Sequence, residues 1–187
     1  ILIGLVGSEM CIRDSFNGTS PLNGMAHGNY LFYWEGRDIF QLINDSHFTA
    51  YTEFGVPGIS PREVLEKIIP PEELFPPRPG TAWEEHHAFG AWDGSPATWL
   101  GEPTIERYFG RAQTLDQLIE RSSLMQGEGY KAVFEEARRQ KPYCAMALNW
   151  CFDEPWPAAA NNSLVAYPSV PKPALDQVRR ACRPLCA

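Results

Sequence analysis

The sequence predicts an α/β fold in which parallel strands alternate with helices, and three observations support this prediction. Residues 48–54 and 143–150 are apolar without regular alternation, as in strands that are buried on both faces of a parallel sheet. Segments with apolar side chains at helical spacing lie between these two runs. The 187 residues are 44% hydrophobic and 21% charged, which supplies enough apolar surface for a sizeable core.

The first predicted elements are two strands that follow a loop. Residues 16–29 are rich in glycine, asparagine, serine and proline, and we expect them to form a loop. The aromatic run at residues 30–34 predicts a short strand, which the acidic and glycine residues after it interrupt. The second strand is predicted at residues 48–54 and ends where glycine and proline follow.

A helix is predicted directly after the second strand. Ser60 suits the N-cap position, Pro61 suits the first turn, and Glu63 lies three residues after the cap, as in a capping box. The helix is expected to end before Pro70, because proline cannot continue a helix.

A long segment rich in proline and tryptophan, the Pro/Trp-rich segment, occupies residues 70–103. Loops of this length are usually functional or disordered, and the tryptophan content argues against disorder. The sequence leaves open whether this segment lines a site or covers the outside of the fold.

The second half of the chain is predicted to be mainly helical around one further strand. Apolar spacing indicates helices at residues 104–109, 114–125 and 126–139, and the last two can also be one continuous helix. Residues 143–150 are predicted as a buried parallel strand, and residues 174–182 as a final helix. The predicted order is therefore strand, strand, helices, strand and helix.

Charge and cysteine content exclude several classes of function. The net charge of −7 disfavours binding to nucleic acid, and no stretch is long enough to cross a membrane. The five cysteines are odd in number and include no Cys-x-x-Cys pair, so neither a zinc site nor a disulfide framework is expected. The acidic and histidine residues at 84–87 lack the spacing of a helical zinc site. We therefore expect no metal and no cofactor.

Two predicted strand ends carry residues suited to chemistry. Glu53 lies at the end of the strand at 48–54, and Trp150 and Trp156 flank two acidic residues after the strand at 143–150. In parallel α/β barrels the reactive groups lie at the carboxyl ends of the strands. An indole face stacks on the C–H groups of a sugar ring while a carboxylate acts on the glycosidic bond. The alternative interpretation is an ion-paired glutamate and a well-packed turn with solvated acids.

These motifs resemble those of glycoside hydrolase family 2, above all its β-mannosidase-like and its β-galactosidase- and β-glucuronidase-like members. Thr52-Glu53-Phe54-Gly55 resembles the family's nucleophile motif on the seventh barrel strand. Residues 150–157 resemble its eighth-strand motif, which has a tryptophan, a pair of acids or amides, and then Trp-Pro. The similarity spans about residues 22–184 and includes matching segments at residues 126–131, 135–138, 161–165 and 171–174.

The resemblance implies a partial TIM (β/α)8 barrel, about the last three strands with their helices and the Pro/Trp-rich insertion. It also implies a retaining β-glycosidase that acts on an oligosaccharide or polysaccharide, in which Glu53 attacks the anomeric carbon and forms a glycosyl-enzyme. By the same resemblance, Trp150 would form the floor of the sugar subsite and Trp156 would contribute to substrate binding. Tyr30 and His27 would orient the nucleophile and the sugar.

The resemblance also has consequences for the rest of the chain. It implies a cis peptide between Trp150 and Cys151, although Cys151 is not a proline. The family's acid/base glutamate follows an asparagine, and no Asn-Glu dipeptide occurs here. A complete barrel takes about 250 residues, so the acid/base residue would lie in an N-terminal part that precedes this chain. The run at residues 7–15 resembles a translated adapter sequence, so we expect residues 1–15 to be non-native and residues 16–187 to be the C-terminal portion of the barrel.

Two other interpretations stay open from the sequence. One is a non-catalytic carbohydrate-binding or structural module that keeps the tryptophan-rich surface. The other is a stand-alone α/β interaction domain with no affinity for saccharides. The sequence does not decide the compartment, although members of the resembled family often act in the periplasm or outside the cell.

Overall fold

A computed structural model describes residues 25–34, 36–90 and 99–184 of the protein. In chain order, the strands are β1 (Met25–Asn29), β2 (Tyr33–Trp34), β3 (Arg37–Asp38), β4 (Ala50–Phe54), β5 (Gly58–Ile59), β6 (Met146–Asn149), β7 (Ala160–Asn161), β8 (Val165–Ala166) and β9 (Val170–Pro171). The helices are α1 (Ile39–Asn44), α2 (Arg62–Ile68), α3 (Ala82–Glu85), α4 (Glu102–Phe109), α5 (Leu115–Arg139) and α6 (Ala174–Ala181), with a 3₁₀ turn at Pro71–Glu73. The predicted adapter-derived segment, residues 1–15, lies outside the described residues.

A three-stranded parallel sheet forms the centre of the fold, in the order β1-β4-β6. Ala50 of the middle strand is the register partner of Met25 on one side and of Met146 on the other. Because all three strands run in the same direction, their carboxyl ends meet at one edge of the sheet. This confirms the predicted α/β class with parallel strands, and it brings the end of β4 next to the residues that follow β1 and β6.

Helix α5 is 25 residues long and packs against β5, α1 and α6. The side chain of Thr114 caps its first turn by accepting a hydrogen bond from the backbone of Gln117. Its apolar stripe, which includes Leu118, Tyr130 and Val133, is buried in the core. The sequence allows two helices or one over this range, and the structure has one. No described helix, α5 included, is long and apolar enough to cross a membrane.

Gly129 lets α5 approach the segment after β4 closely. A Cβ atom at this position would lie 2.9 Å from Val56 and 3.1 Å from Phe32, closer than most side chains approach each other. Glycine within a helix costs about 1 kcal/mol relative to alanine. Its presence in α5 therefore follows from close packing and not from helix propensity.

The structure corrects the prediction for the first strand. Met25–Asn29, which lies in the predicted loop, forms β1, whereas the aromatic run at residues 30–34 contains only the short strand β2, paired antiparallel with β3. The prediction is wrong because β1 has little strand propensity of its own and is held by pairing with β4. Helix α1, which the sequence pattern does not reveal, begins at a capping box formed by Asp38 and Gln41.

Helix α2 has a different N-terminus from the one predicted. Pro61 occupies the N-cap position, and no side chain caps the helix. Ser60, the predicted cap, is buried and donates from Oγ to the backbone oxygen of Ala158 at 2.7 Å. Its hydroxyl therefore links the chain after β4 to the chain after β6.

Strand β6 is less buried than the sequence predicts for residues 143–150. Met146 and Leu148 are 38% and 51% exposed, and among the described residues β6 pairs only with β4. Parallel strands are normally covered on both faces, so an exposed apolar surface on one is unusual. The apolar run predicts a strand covered on both faces, but only the face with Ala147 packs against the core, and Met146 and Leu148 are uncovered in the described part of the chain.

Candidate active site

Glu53 lies near the carboxyl end of the central strand β4, and its side chain is half-buried. Tyr30 directly follows the neighbouring strand β1, and its hydroxyl donates a hydrogen bond to Oε1 of Glu53. Hydrogen bonds to a carboxylate are strong and directional, so this contact fixes the orientation of the Glu53 side chain. Two of the residues singled out from the sequence are thus in direct contact.

Trp150 follows β6 and completes a cluster with these two residues. Its ring meets the ring of Tyr30 edge-on, with centroids 5.8 Å apart and planes at 67°. The side chain is 48% exposed, so part of the indole faces solvent beside the hydrogen-bonded pair. We call Tyr30, Glu53 and Trp150 the strand-end cluster.

Backbone contacts hold Trp150 in this position. Its N–H donates to the carbonyl oxygen of Phe54 at 2.8 Å, and its own carbonyl oxygen accepts from the Nδ2 of Asn162. The peptide from Trp150 to Cys151 is cis, as the family resemblance implies. A Cβ atom on Gly55 would lie 2.8 Å from the carbonyl oxygen of Trp150, which explains why glycine follows the Thr-Glu-Phe sequence here.

The Pro/Trp-rich segment reaches the same edge of the sheet. The ring of Trp99 meets Tyr30 edge-on, with centroids 6.2 Å apart and planes at 75°. The imidazole of His87 stacks on Trp99 at 5.9 Å and 30°. Of the two possibilities that the sequence leaves open, the described residues favour the first, because Trp99 of this segment lies against the strand-end cluster.

Trp156, which we expect to contribute to substrate binding, lies against the same segment. Its ring stacks on His86 with centroids 5.6 Å apart and planes at 21°. The Nδ1 of His86 is held by the carbonyl oxygen of Pro157 at 2.7 Å. Trp156 is 43% exposed, so it presents indole surface, but its ring partner is His86 and not a member of the strand-end cluster.

His27 lies on β1, and its backbone is the register partner of Glu53. Its side chain lies outside the described part of the structure. The strand register therefore places His27 beside Glu53, and its expected role in orienting the sugar stays a prediction.

A buried ion pair anchors the chain after β6. The Nζ of Lys172 lies 3.0 Å from the Oε1 of Glu154, and the two side chains are 1% and 0% exposed. The hydroxyl of Ser163 also donates to Glu154, and Lys172 donates to the carbonyl oxygen of Asn161 at 3.2 Å. Burial lowers the pKa of Lys172, and the charge of Glu154 partly opposes that shift. Glu154 is therefore not one of the solvated acids that the alternative interpretation of this strand end assumes.

Sequence reasoning assigned no role in the site to four residues that shape it, although Asn162 and Lys172 lie in segments that match the resembled family. Trp99 and His87 leave no local signal, because only the fold of the Pro/Trp-rich segment brings them to the sheet edge. Asn162 lies in an Asn-Asn-Ser sequence that is too short to be informative alone. Lys172 does leave a signal in the sequence. It lies between two prolines, which do not continue a helix, so it is not one of the solvated lysines that are common on helix surfaces.

The strand-end cluster combines an oriented carboxylate with an exposed indole. Such a pair is suited to nucleophilic attack on a ring that stacks on the indole. Among the described residues, no group of three or more histidine, cysteine, aspartate or glutamate side chains is placed to hold a metal ion.

Comparisons with known proteins identify structures of similar fold. No family model and no curated protein sequence matches the chain. A β-D-mannosidase from Dictyoglomus thermophilum is similar, with 24% identity and a TM-score of 0.66 over 84% of this chain and 18% of that one. An exo-chitosanase from Amycolatopsis orientalis, in complex with PNP-β-D-glucosamine, has 18% identity and a TM-score of 0.56 over 71% of this chain and 16% of that one.

A second structure of that same enzyme, named there an exo-β-D-glucosaminidase, is also similar, with 16% identity and a TM-score of 0.59 over 86% of this chain and 19% of that one. At these identities the similarity shows a shared fold. The chain spans less than one fifth of the length of each of these proteins.

Proposed function

We propose that this chain is the C-terminal part of the catalytic barrel of a retaining β-glycosidase related to glycoside hydrolase family 2, with Glu53 as the nucleophile. The observation that supports this most is the contact of Tyr30, Glu53 and Trp150, which come from three adjacent strand ends. The shared fold with a β-mannosidase and an exo-glucosaminidase supports it independently.

In the proposed reaction, the sugar stacks on the indole of Trp150 with its anomeric carbon directed at Glu53. The Glu53 carboxylate attacks that carbon while the bond to the leaving oxygen breaks, and a covalent glycosyl-enzyme forms. Water then displaces Glu53, and the sugar leaves with its original anomeric configuration. Tyr30 keeps the carboxylate oriented in both steps.

A second carboxyl group has to protonate the leaving oxygen and then activate the water, about 5 Å from the nucleophile. We place this group, with the remaining barrel strands, in an N-terminal part of the complete protein. The exposed apolar side chains of Met146 and Leu148 on β6 are consistent with a surface that this part would cover. The isolated chain should be almost inactive, because loss of a general acid commonly costs about 10²- to 10⁴-fold.

The substrate we propose is a β-linked D-pyranose unit of an oligosaccharide or polysaccharide. The two proteins of similar fold are a β-D-mannosidase and an exo-chitosanase that is also named an exo-β-D-glucosaminidase, so both are named for a β-D-sugar. A panel of p-nitrophenyl β-D-glycosides that differ at one position therefore covers the candidate substrates.

The variant Glu53→Gln in the complete protein tests this proposal. We expect kcat to fall by roughly 10⁴-fold or more, since a nucleophile is removed, while affinity for the glycoside stays nearly unchanged. Glu63→Gln is the matched control, because Glu63 is an exposed glutamate in the first turn of α2. Wild-type turnover by Glu53→Gln would rule out Glu53 as the nucleophile.

A second candidate function is a carbohydrate-binding module without catalysis. The exposure of both Trp150 and Trp156 favours it, because exposed indoles bind sugars without any carboxylate chemistry. This candidate predicts that the complete protein binds glycosides, does not hydrolyse them, and loses no function in Glu53→Gln. Calorimetry and a turnover assay on the same samples separate the two functions.

A further inference from the structure

His87 has an unusual backbone that the fold maintains. Its φ angle of 75° lies in the left-handed region, and among the described residues it is the one non-glycine residue with positive φ. Non-glycine residues seldom adopt this region, and histidine, like asparagine and aspartate, is among those that do so more often. The backbone is held by hydrogen bonds from His87 N to Glu84 O at 3.1 Å and from Ala88 N to Trp83 O at 2.8 Å. These bonds fix the backbone conformation from which the His87 side chain projects.

The imidazole of His87 stacks on the ring of Trp99. The indole of Trp99 is only 2% exposed, and it touches Tyr30 of the strand-end cluster on one side and His87 on another. The His87 side chain is partly exposed. His87 is therefore the more accessible of the two rings in this contact, and it lies one ring away from the strand-end cluster.

The imidazole of His87 is suited to recognise a hydroxyl group. Burial lowers its pKa below the ordinary value, and the weaker effect of the Glu154 charge opposes this, so the ring is neutral at pH 7. A neutral imidazole has one nitrogen that donates and one that accepts. Within the described part of the chain neither nitrogen has a hydrogen-bond partner, in contrast to His86, whose Nδ1 is held by Pro157.

We propose that His87 is a specificity-determining residue that hydrogen-bonds a hydroxyl group of the sugar held against Trp150. The inference rests on the proposed function, since it requires a sugar in the strand-end cluster. The Trp99 ring contacts both His87 and Tyr30, and so it connects His87 to the strand-end cluster. As part of this proposal we place the hydroxyl on the side of the sugar away from Glu53, at C4 or C6.

The test is a cycle of two changes, one in the protein and one in the sugar. His87→Phe keeps a ring on Trp99 and removes both nitrogens. His47→Phe is the matched control, because His47 also stacks on an aromatic ring, that of Tyr143 at 3.9 Å and 10°, but precedes β4 at the opposite end of the sheet. Both changes are made in the complete protein carrying Glu53→Gln, so that affinity is measured by calorimetry without turnover.

The probes are p-nitrophenyl β-D-mannopyranoside, β-D-glucopyranoside and 2-amino-2-deoxy-β-D-glucopyranoside, followed by the 4-deoxy and 6-deoxy forms of the tightest binder. We expect His87→Phe to weaken binding of the parent glycoside roughly 10-fold and to leave binding of one deoxy form unchanged. His47→Phe should change neither. Three results would overturn the proposal. In His87→Phe, the parent glycoside could bind as tightly as before, or the parent, its 4-deoxy form and its 6-deoxy form could all lose affinity equally. The third result is that none of the glycosides binds at all.

A separate readout distinguishes this proposal from the proposed function. His87→Phe with Glu53 intact should still be labelled at Glu53 by a mechanism-based fluoroglycoside, because His87 takes no part in the bond chemistry. If the deoxy cycle behaves as expected while Glu53 is never labelled, the nucleophile assignment fails and the assignment of His87 stands.

Discussion

The hydrogen bond from the Tyr30 hydroxyl to Glu53 is the most informative contact at the scale of single residues. A nucleophilic carboxylate has to point at the reacting carbon, and a displacement of about 1 Å can cost 100-fold in rate. The Tyr30 ring is itself in edge-on contact with Trp99 and Trp150. The orientation of Glu53 therefore depends on packing contributed by several separate segments of the chain.

Tyr30→Phe removes the hydroxyl and keeps the ring contacts. We expect kcat of the complete protein on p-nitrophenyl β-glycosides to fall roughly 10- to 100-fold, because a hydrogen bond to a charged group contributes about 1.5–3 kcal/mol. KM should change little. Tyr143→Phe, an exposed tyrosine that precedes β6, is the control and should keep the wild-type kcat. If kcat of Tyr30→Phe is also unchanged, the hydroxyl does not position Glu53.

The sequence predicts the positions of Glu53 and Trp150 because each lies at the end of a recognisable apolar run. Tyr30 is identified by resemblance, although the strand before it is wrongly placed from the sequence. His87 and Trp99 escape prediction for a physical reason. Their proximity to Tyr30 depends on how the Pro/Trp-rich segment folds back over the sheet edge, and no local pattern of residues encodes that path.

At the scale of elements, the segment from the end of β6 to β9 is organised by one buried ion pair. Glu154 lies in the part that carries Trp150 and Trp156, and Lys172 follows β9, so the 3.0 Å contact joins the two ends of this segment. Removing one partner of a buried pair leaves an uncompensated charge, which is strongly destabilising. The position of both exposed indoles should therefore depend on this pair.

Lys172→Met leaves Glu154 buried without its partner. We expect the free energy of unfolding to fall by about 3–5 kcal/mol, measured by urea denaturation with tryptophan fluorescence as the signal. The double variant Glu154→Gln/Lys172→Met should recover part of this loss, since no charge is then buried.

The exposed pair Arg179–Asp176, at 3.1 Å on α6, provides the control for this prediction. Arg179→Met should cost less than about 1 kcal/mol, because exposed pairs contribute little. Equal effects of Lys172→Met and Arg179→Met would contradict a structural role for the buried pair.

The predictability of the elements follows from how each is stabilised. Helix α5 can be predicted because its apolar spacing and the Thr114 cap are local features. Strand β1 cannot, because its sequence, Met-Ala-His-Gly-Asn, favours a loop and only the ladder with β4 makes it a strand. The short pairs β5–β7 and β8–β9 are likewise set by partners distant in the sequence or by turns without a distinctive signal.

At the scale of the whole molecule, the exposed surface of β6 is the main departure from an ordinary α/β fold. The strand ladder β1-β4-β6 has β6 at one side, with Met146 and Leu148 exposed to solvent. Exposed apolar side chains on an edge strand favour pairing with another chain. The burial that the apolar run at residues 143–150 predicts is not found at Met146 and Leu148, and the proposed complete barrel would cover them.

The isolated 187-residue chain should self-associate through this surface. Leu148→Lys places a charge there and should shift the chain toward monomer, as judged by light scattering after size-exclusion chromatography. Phe40→Lys, at a comparably exposed apolar residue on α1, should leave the association unchanged. A wild-type chain that is monomeric at micromolar concentration would contradict this account of β6.

The most direct test of the central claim is covalent labelling of the complete protein with a 2-deoxy-2-fluoro-β-D-glycosyl fluoride. The fluorine slows both steps, and a good leaving group lets the glycosyl-enzyme accumulate, so intact mass and peptide mass spectrometry can locate it. We predict one label per molecule, on the peptide that contains Glu53, and none in Glu53→Gln. A label on a different carboxylate, or hydrolysis with inversion and no label, would contradict the assignment of Glu53 as the nucleophile of a retaining glycosidase.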